Sequence, residues 1–387
     1  MRFLSADFVF PISSPAIPNG IVAVRNDGSI DGVYAAGRFS EKLTIEKHRG
    51  ILCPGFVNAH CHLELSYLKG KIEPHTSLAG FIAGLLNEQT KNKEPDEIKN
   101  AAAEADKVMF EQGINCVGDI SNGEISYEVK SKSAIAYHTF IELYDFLEER
   151  TEEVFEKGKK MYATFSELRK SLTPHATYSV TQKLLKKIFA FNSCTPVSIH
   201  HAESESEREL MTEGTGKLAV FFQHYFKKDF RQKDGVSSVQ SLLDCIQKEQ
   251  PLLLVHNTYS TAEVVHQING TGQKVFWCLC PKANLYIENR LPDIRLFQSL
   301  ENCCLGTDSL ASNDTLCVLE EMKTILRYYP EISTGKLLQW ATLNGAKALM
   351  LENQFGSFEK NKKPGILLIE KTEGKKINQE SRVKRLV

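Results

Sequence analysis

Several familiar features are missing from this chain. No apolar run approaches the roughly 20 residues that a membrane-spanning helix needs, so no membrane partner is expected. No charge of one sign dominates: Lys+Arg is 47 and Asp+Glu is 48, a formal net charge of -1. That balance removes the electrostatic case for nucleic acid as a partner. The first ten residues, MRFLSADFVF, lack a long apolar core, and Asp7 falls where a signal peptide would be most apolar. A cytoplasmic protein is expected. No repeat and no low-complexity tract is visible. The ten cysteines form no paired C-x-x-C of a structural zinc site. Cys278 and Cys280 make a C-x-C, and Cys303 and Cys304 are adjacent, both inside apolar runs. They are expected to be small buried hydrophobes in a reducing compartment.

What remains is a chain of 387 residues, 42% hydrophobic and 25% charged, enough for one large domain or a large and a small one. Its ends read as short strands. Gly20 to Arg25 and Ser29 to Tyr34 flank the turn Asn26-Asp27-Gly28. Gly356 to Phe358 and Gly365 to Ile369 continue that style near the C-terminus. One small β-sandwich domain built from residues 1–50 and 354–387 is expected. Between them, over 51–353, strands and helices alternate. Eight strands are expected over Gly50–Ala59, Ile114–Ile120, Ala134–Leu143, Ser171–His175, Pro196–His200, Pro251–His256, Lys274–Cys280 and Asn302–Asp308. Helices are expected over Glu97–Gln112, Gln182–Ala190, Ser238–Lys248 and Val318–Arg327, among others. Eight alternations point to an α/β fold of the (β/α)8 TIM-type barrel. An open doubly wound sheet is the runner-up, but no Gly-rich phosphate loop follows the first strand.

The polar residues fall where that barrel would need them. His60 and His62 follow strand one, and His175, His200, His256 and Asp308 end later strands. Strand C-termini meet at one mouth of a barrel, so residues distant in sequence converge there. In His60-Cys61-His62 the two imidazoles point to the same side of a strand and can share one cation. His200, His256 and Asp308 complete an N/O set suited to Zn²⁺ or Fe²⁺. Glu203 stands three residues after His200, within reach of a metal-activated water without being a ligand. The bland alternative is that Glu203 merely opens the following helix. His201 is expected to face away from the site, and His138 to be structural. The remaining charges from Glu205 to Glu209 read as a solvated helix face.

On these residues the chain resembles the amidohydrolase superfamily, in its deaminase and chlorohydrolase branch. Gly50-Ile-Leu-Cys-Pro-Gly-Phe-Val-Asn-Ala-His-Cys-His62 is similar to the strand-one motif. Pro174 to Ser179, Ile199 to Glu203, Val255 to Thr258, Cys280 to Asn284, Gly306 to Asn313 and Gly356 to Lys363 resemble later segments in order. The resemblance implies His60, His62, His200 and Asp308 as ligands of one divalent metal, zinc first and iron second. It implies Glu203 as proton shuttle. His256 would stabilise the attacking water and the tetrahedral intermediate, and Asp308 would orient that water. His175 and Asn313 would face a small-molecule substrate; Glu64, where several nucleoside deaminases carry an apolar residue, is expected to hydrogen-bond a base edge, and Ser309 to reshape the pocket floor beside the substrate. Two-metal members use a carboxylated lysine late on strand four; Lys170 precedes the expected strand, which favours one metal. A homodimer is implied as well.

The reaction implied is hydrolytic removal of an amino group from a heterocyclic base or nucleoside. Ser77 to Ile82, Tyr178 to Gln182 and Phe221 to Phe226 are similar to segments of 6-aminodeoxyfutalosine deaminases, which makes that compound or an adenosine-like one the candidate substrate. Three alternatives stay open. A chlorohydrolase or aminotriazine hydrolase would use nearly the same residues. A cyclic-amide hydrolase would want a second metal. A catalytically inactive scaffold would show a broken ligand set. Pro364-Gly365 replaces the family's common Ala-Asp near the C-terminus, and Ser309 follows Asp308 where glycine is common.

Overall fold

The structure is a computed structural model and describes residues 1–38, 43–91, 94–192, 194–227, 229 and 239–387. Its centre is eight strands: β1 (Phe56–Cys61), β2 (Ile114–Ser121), β3 (Ala136–Leu143), β4 (Arg169–Pro174), β5 (Val197–His201), β6 (Leu252–His256), β7 (Val275–Leu279) and β8 (Cys303–Leu305). All neighbours pair in parallel, β1 to β4 in one sheet and β5 to β8 in another. Single parallel bridges join the two halves, Ala176 opposite His200 and Cys61 opposite Asp308. At the first seam the His200 N–H donates to the His175 carbonyl at 2.9 Å. At the second, the N–H groups of Thr307 and Asp308 both donate to the His60 carbonyl, at 3.0 and 3.1 Å. This is the expected (β/α)8 arrangement rather than an open sheet. Both seams run through the residues singled out above.

Strands of this kind are covered on both faces, so they read as unbroken apolar runs. Leu252, Leu253, Leu254 and Val255 of β6 are all fully buried. The covering helices include Pro95–Glu111, Gln182–Phe191, Val239–Cys245 and Val318–Tyr328. These match the expected four to within a few residues; Ser238 lies outside the described residues. Cys278, Cys280, Cys303 and Cys304 are buried, as small hydrophobes would be. Among the described residues no helix is long and apolar enough to cross a membrane.

Both chain ends form a pair of sheets. One orders Ile30–Tyr34, Ile21–Val24, Arg2–Ser5 and Glu46–Lys47. The other orders Arg382–Arg385, Leu367–Glu370, Ile51–Cys53, Phe8–Val9 and Ile17–Pro18. Leu4, Val22, Val24 and Ile30 of the first sheet pack with Val9, Leu52 and Leu368 of the second. The result is a small sandwich. In the turn Asn26-Asp27-Gly28, Gly28 takes φ 82° and the Ser29 N–H caps Asp27 at 3.0 Å.

Two expectations change. The single strand over Gly50–Ala59 is two strands: Ile51–Cys53 pairs with both terminal segments, and the barrel starts at Phe56. Pro54 lacks the N–H that would continue a ladder, and the Gly55 N–H donates to the Pro364 carbonyl at 2.9 Å. Gly356 to Phe358 is not a strand; Phe358 instead fills the sandwich core.

Candidate active site

His60 and His62 lie at the end of β1 with Nε2 atoms 3.1 Å apart. Alternation along the strand aims both rings to one side, as the H-x-H spacing requires. The turn after them is tied down from below. The buried Asp119 of β2 accepts the Leu63 N–H at 2.7 Å and is itself paired with the buried Lys130. Asp308, just after β8, places Oδ1 at 3.6 Å from His60 Nε2 and 3.4 Å from His62 Nε2. Its other oxygen accepts the Ser312 hydroxyl at 2.5 Å. His200, at the end of β5, has Nδ1 at 2.8 Å from the His175 carbonyl. A carbonyl only accepts, so Nδ1 carries the proton and Nε2 presents a lone pair. The ring of His200 lies 5.0 Å from that of His60 and 5.5 Å from that of His62.

Ligand atoms of His60, His62 and His200 lie within 4.8 Å of one another, as do those of His60, His256 and Asp308. Bonds of about 2.0–2.2 Å in a tetrahedral site put ligand atoms about 3.3–3.6 Å apart. The separations of 3.1, 3.4 and 3.6 Å fit such a set. Two imidazole nitrogens facing each other at 3.1 Å also need a shared cation or proton between them. The residues therefore fit one divalent ion. Lys170 is no part of this set. It sits at the far end of β4, and its ammonium donates to the Phe165 carbonyl at 2.6 Å.

Glu203 and His256 face each other across the same floor, Oε1 to Nε2 at 3.6 Å. Each is held from behind. Asn284 accepts from His256 Nδ1 at 2.9 Å, and its amide reaches the His256 carbonyl at 3.3 Å. The Glu207 carboxylate accepts the N–H groups of Ala202 and Glu203, at 3.1 and 2.7 Å. Ser204 caps the helix Glu205–Glu213, accepting the Glu207 N–H at 3.0 Å. Glu203 thus precedes the helix and lines the cavity rather than opening it. Glu207 is buried, which corrects the expectation of a wholly solvated face after Glu203. Ala202, His256, Asn257 and Asp308 all have left-handed backbones, with φ of 46°, 77°, 57° and 58°. Such conformations are costly in non-glycine residues and gather at functional sites. Gly306 is required for a different reason: a Cβ there would lie 2.8 Å from the His60 Cβ.

Burial sets the protonation states. It pulls His62 down to about 3 and His175 to about 4, and carries His200 and His256 below their usual range. These rings stay neutral, as metal-binding or hydrogen-bonding imidazoles must. Burial also pushes Asp308 upward, but the neighbouring His60, His62 and His256 rings outweigh it and hold the carboxylate ionised. Glu203 goes well above the usual range through burial, then through Asp308 and Glu288. Two carboxyls buried in one site are pushed apart in this way when one has several hydrogen-bonding partners and the other does not.

Above the floor lies a cavity of about 220 Å³. Leu78, Phe81, Ile82, Leu85 and Leu86 come from the helix Ser77–Thr90, and Phe221, Phe222 and Phe226 from the helix Gly216–Phe226. Tyr178 and Ser179 also line it, so all three segments that resembled aminodeoxyfutalosine deaminases reach the cavity. His175 and Ser309 line it as well. Glu64 and Asn313 do not. The Glu64 carboxylate accepts the N–H groups of Asn122 and Gly123 and the Ser126 hydroxyl. The Asn313 amide donates to the Thr307 carbonyl and to Glu321, both at 2.9 Å. Each braces a loop behind the wall. His201 turns away towards Asn257, and His138 bonds Ser171 inside the barrel, as expected. Glu142 and Asn122 are cavity residues that the sequence analysis does not single out. The signal for Glu142 is its place one residue from the end of β3, at the same mouth as the strand-end histidines.

The "Amidohydrolase family" model matches residues 51–385. An adenosine deaminase of Helicobacter pylori is 28% identical over 81% of this chain and 77% of its own length. An aminodeoxyfutalosine deaminase of Nitratiruptor sp. is 27% identical over 84% of this chain and 80% of its own. The crystal structure of Helicobacter pylori aminofutalosine deaminase in complex with methylthio-coformycin superposes with a TM-score of 0.82, at 22% identity, covering 100% of both chains.

Proposed function

Because the chain belongs to the amidohydrolase family, we propose that it is a metal-dependent hydrolytic deaminase of an amino-substituted heterocyclic base or nucleoside, with 6-aminodeoxyfutalosine or an adenosine-like compound as the candidate substrate. One observation carries the reading. Three imidazoles and Asp308 converge with His256 and Glu203 on the floor of an apolar cavity. His60, His62, His200 and Asp308 would hold the metal. When bound, a divalent cation supplies Lewis acidity and a water acidified to near neutrality. Zinc is the metal of this proposal, with iron as the alternative.

The chain's own residues do the rest. Asp308, anchored through Ser312, would orient the attacking water with the same carboxylate that would hold the metal. Glu203, brought back to its ionised form by the charge of a bound cation, takes a proton from the attacking water and returns it to the substrate ring nitrogen. His256, anchored by Asn284, steadies the charge that develops on the adding oxygen. A C–O bond forms at the amidine-like carbon as the first proton reaches the ring nitrogen; Glu203 then carries the second proton from the added hydroxyl to the amino group, the C–N bond breaks, ammonia leaves and the oxygen becomes the ring carbonyl. The apolar wall excludes bulk water and packs the substrate outside the reacting ring. The same proposal takes residues 1–50 and 354–387 as one small domain beside the barrel of 51–353, the cytoplasm as compartment and a homodimer as assembly. The pairing of Ile51–Cys53 with both chain ends supports the shared small domain.

An ammonia-release screen tests the reading. Metal-loaded protein is given adenosine, methylthioadenosine, aminodeoxyfutalosine, guanine, cytosine and aminotriazines. Release from an adenosine-like nucleoside is expected. A response confined to the triazines would replace deamination of nucleosides with the triazine-hydrolase alternative, and no response to any would remove both.

A further inference from the structure

Among the described residues, the mechanism leaves one carboxylate that lines the cavity unused. Glu142 ends β3, lines the cavity and is 8% exposed. Asn122 Nδ2 donates to its Oε2 at 2.8 Å. Its Oε1 is buried without a hydrogen-bond partner. The nearest ring, His200, approaches with Nδ1 at 3.7 Å, but that nitrogen already donates to the His175 carbonyl at 2.8 Å. Among the described residues lining the cavity, Glu142 Oε1 and the Tyr178 hydroxyl are the buried side-chain polar atoms left without a partner. Buried acceptors are seldom left unmet. One that faces a ligand cavity is placed to meet a donor on the ligand.

Which donor follows from the chemistry of the substrate class, and here the argument rests on the deaminase reading. The reacting carbon would lie between Glu203, after β5, and His256 of β6. Glu142 stands on β3, on the other side of β4. A 9-substituted adenine presents only acceptors around its ring apart from the amino group, and that group sits on the reacting carbon. Donors elsewhere in such a nucleoside are the sugar hydroxyls. We propose that Glu142, oriented by Asn122, accepts a hydrogen bond from a sugar hydroxyl of the substrate, so that the site reads the sugar as well as the base. Tyr178 adds a donor in the same cavity that a sugar oxygen can take.

The test separates this from the deaminase reading by measuring binding rather than turnover. Metal-loaded Glu203→Gln protein is titrated by calorimetry with adenosine, 2′-deoxyadenosine, 3′-deoxyadenosine and 9-methyladenine. The titrations are repeated with Glu142→Ala and with Glu142→Gln added, and bound metal is assayed in each variant. Glu142→Ala is expected to weaken adenosine binding about 10- to 100-fold and to leave 9-methyladenine unchanged. One of the two deoxy analogues should be insensitive to the substitution, which identifies the hydroxyl. Glu142→Gln, which keeps an acceptor of the same shape, should lose less. Equal losses for adenosine and 9-methyladenine would overturn the proposal, as would unchanged adenosine binding, loss of metal from the Glu142 variants, or no nucleoside binding by the parent. Failure of the deaminase reading shows separately, as absence of ammonia release from the unsubstituted enzyme.

Discussion

The floor and the roof of the cavity are built on different principles. Four floor residues, at or just after strand ends, are held from behind: His200 by the His175 carbonyl, His256 by Asn284, Asp308 by Ser312, and Glu203 through the backbone that Glu207 holds. The roof comes from the helices Ser77–Thr90 and Gly216–Phe226, inserted after β1 and β5. Its contribution is apolar surface, and part of it reaches solvent: Phe226 is 39% exposed and Tyr225 51%. The floor is preorganised by hydrogen bonds and left-handed backbone, which suits chemistry that tolerates little displacement. The roof's cavity face is shaped by apolar packing, which suits selection of a substituent.

If this division holds, substitutions in the two regions should fail differently. On the floor, Glu203→Gln should lower ammonia release by about 10²- to 10⁴-fold with metal content unchanged; a loss of metal would show that Glu203 supports the ion rather than moving protons. His62→Ala should lose the metal itself, read by elemental analysis, and the zinc-dependent rise in melting temperature should vanish with it. On the roof, Ile82→Ala should raise KM about tenfold for a nucleoside carrying an apolar alkylthio group while sparing kcat. An equal fall in kcat would mean that the roof also positions the reacting carbon.

The smallest expected effect is on stability and pH, measured on the metal-free protein. Burial lowers His62 and His138 to about 3, so the unfolded chain binds protons below about 6.5 that the folded chain refuses. Their contribution is lost as pH falls from about 6.5 towards about 3. Glu207 and Glu321 are raised to about 8 by burial, so the folded chain keeps protons that the unfolded chain releases above 4.5. Their contribution is lost as pH rises from 4.5 to about 8. Denaturant midpoints should therefore peak between about 4.5 and 6.5. Glu321→Gln, far from the reacting atoms, should flatten the alkaline limb; an unchanged limb would assign it elsewhere.

The sequence made the floor legible and left its supports hidden. Five apolar runs ended in His or Asp, and barrel topology alone brings such ends together. The supports are not periodic. Nothing local distinguishes Ser312 or Asn284, which grip Asp308 and His256, from other polar loop residues. Glu207 looked like one more charge on an acidic helix, and only the fold turns it inward to backbone N–H groups. Asn313 is expected at the substrate by resemblance, and Glu64 by its place just after the histidine pair. In space their side chains fold back to brace loops. The split at Pro54-Gly55 went unread because the apolar run continues across it. The roof was legible only as likeness to aminodeoxyfutalosine deaminases, since an apolar helix face at a cavity and one in a core have the same pattern.

Stripped protein titrated with zinc, with ammonia release followed on a nucleoside that responds, tests the single-metal floor most directly. Activity should rise linearly and stop at one zinc per chain, while Glu203→Gln binds the same one equivalent and stays inactive. Full activity without bound metal, or a plateau reached only at two equivalents, would contradict it.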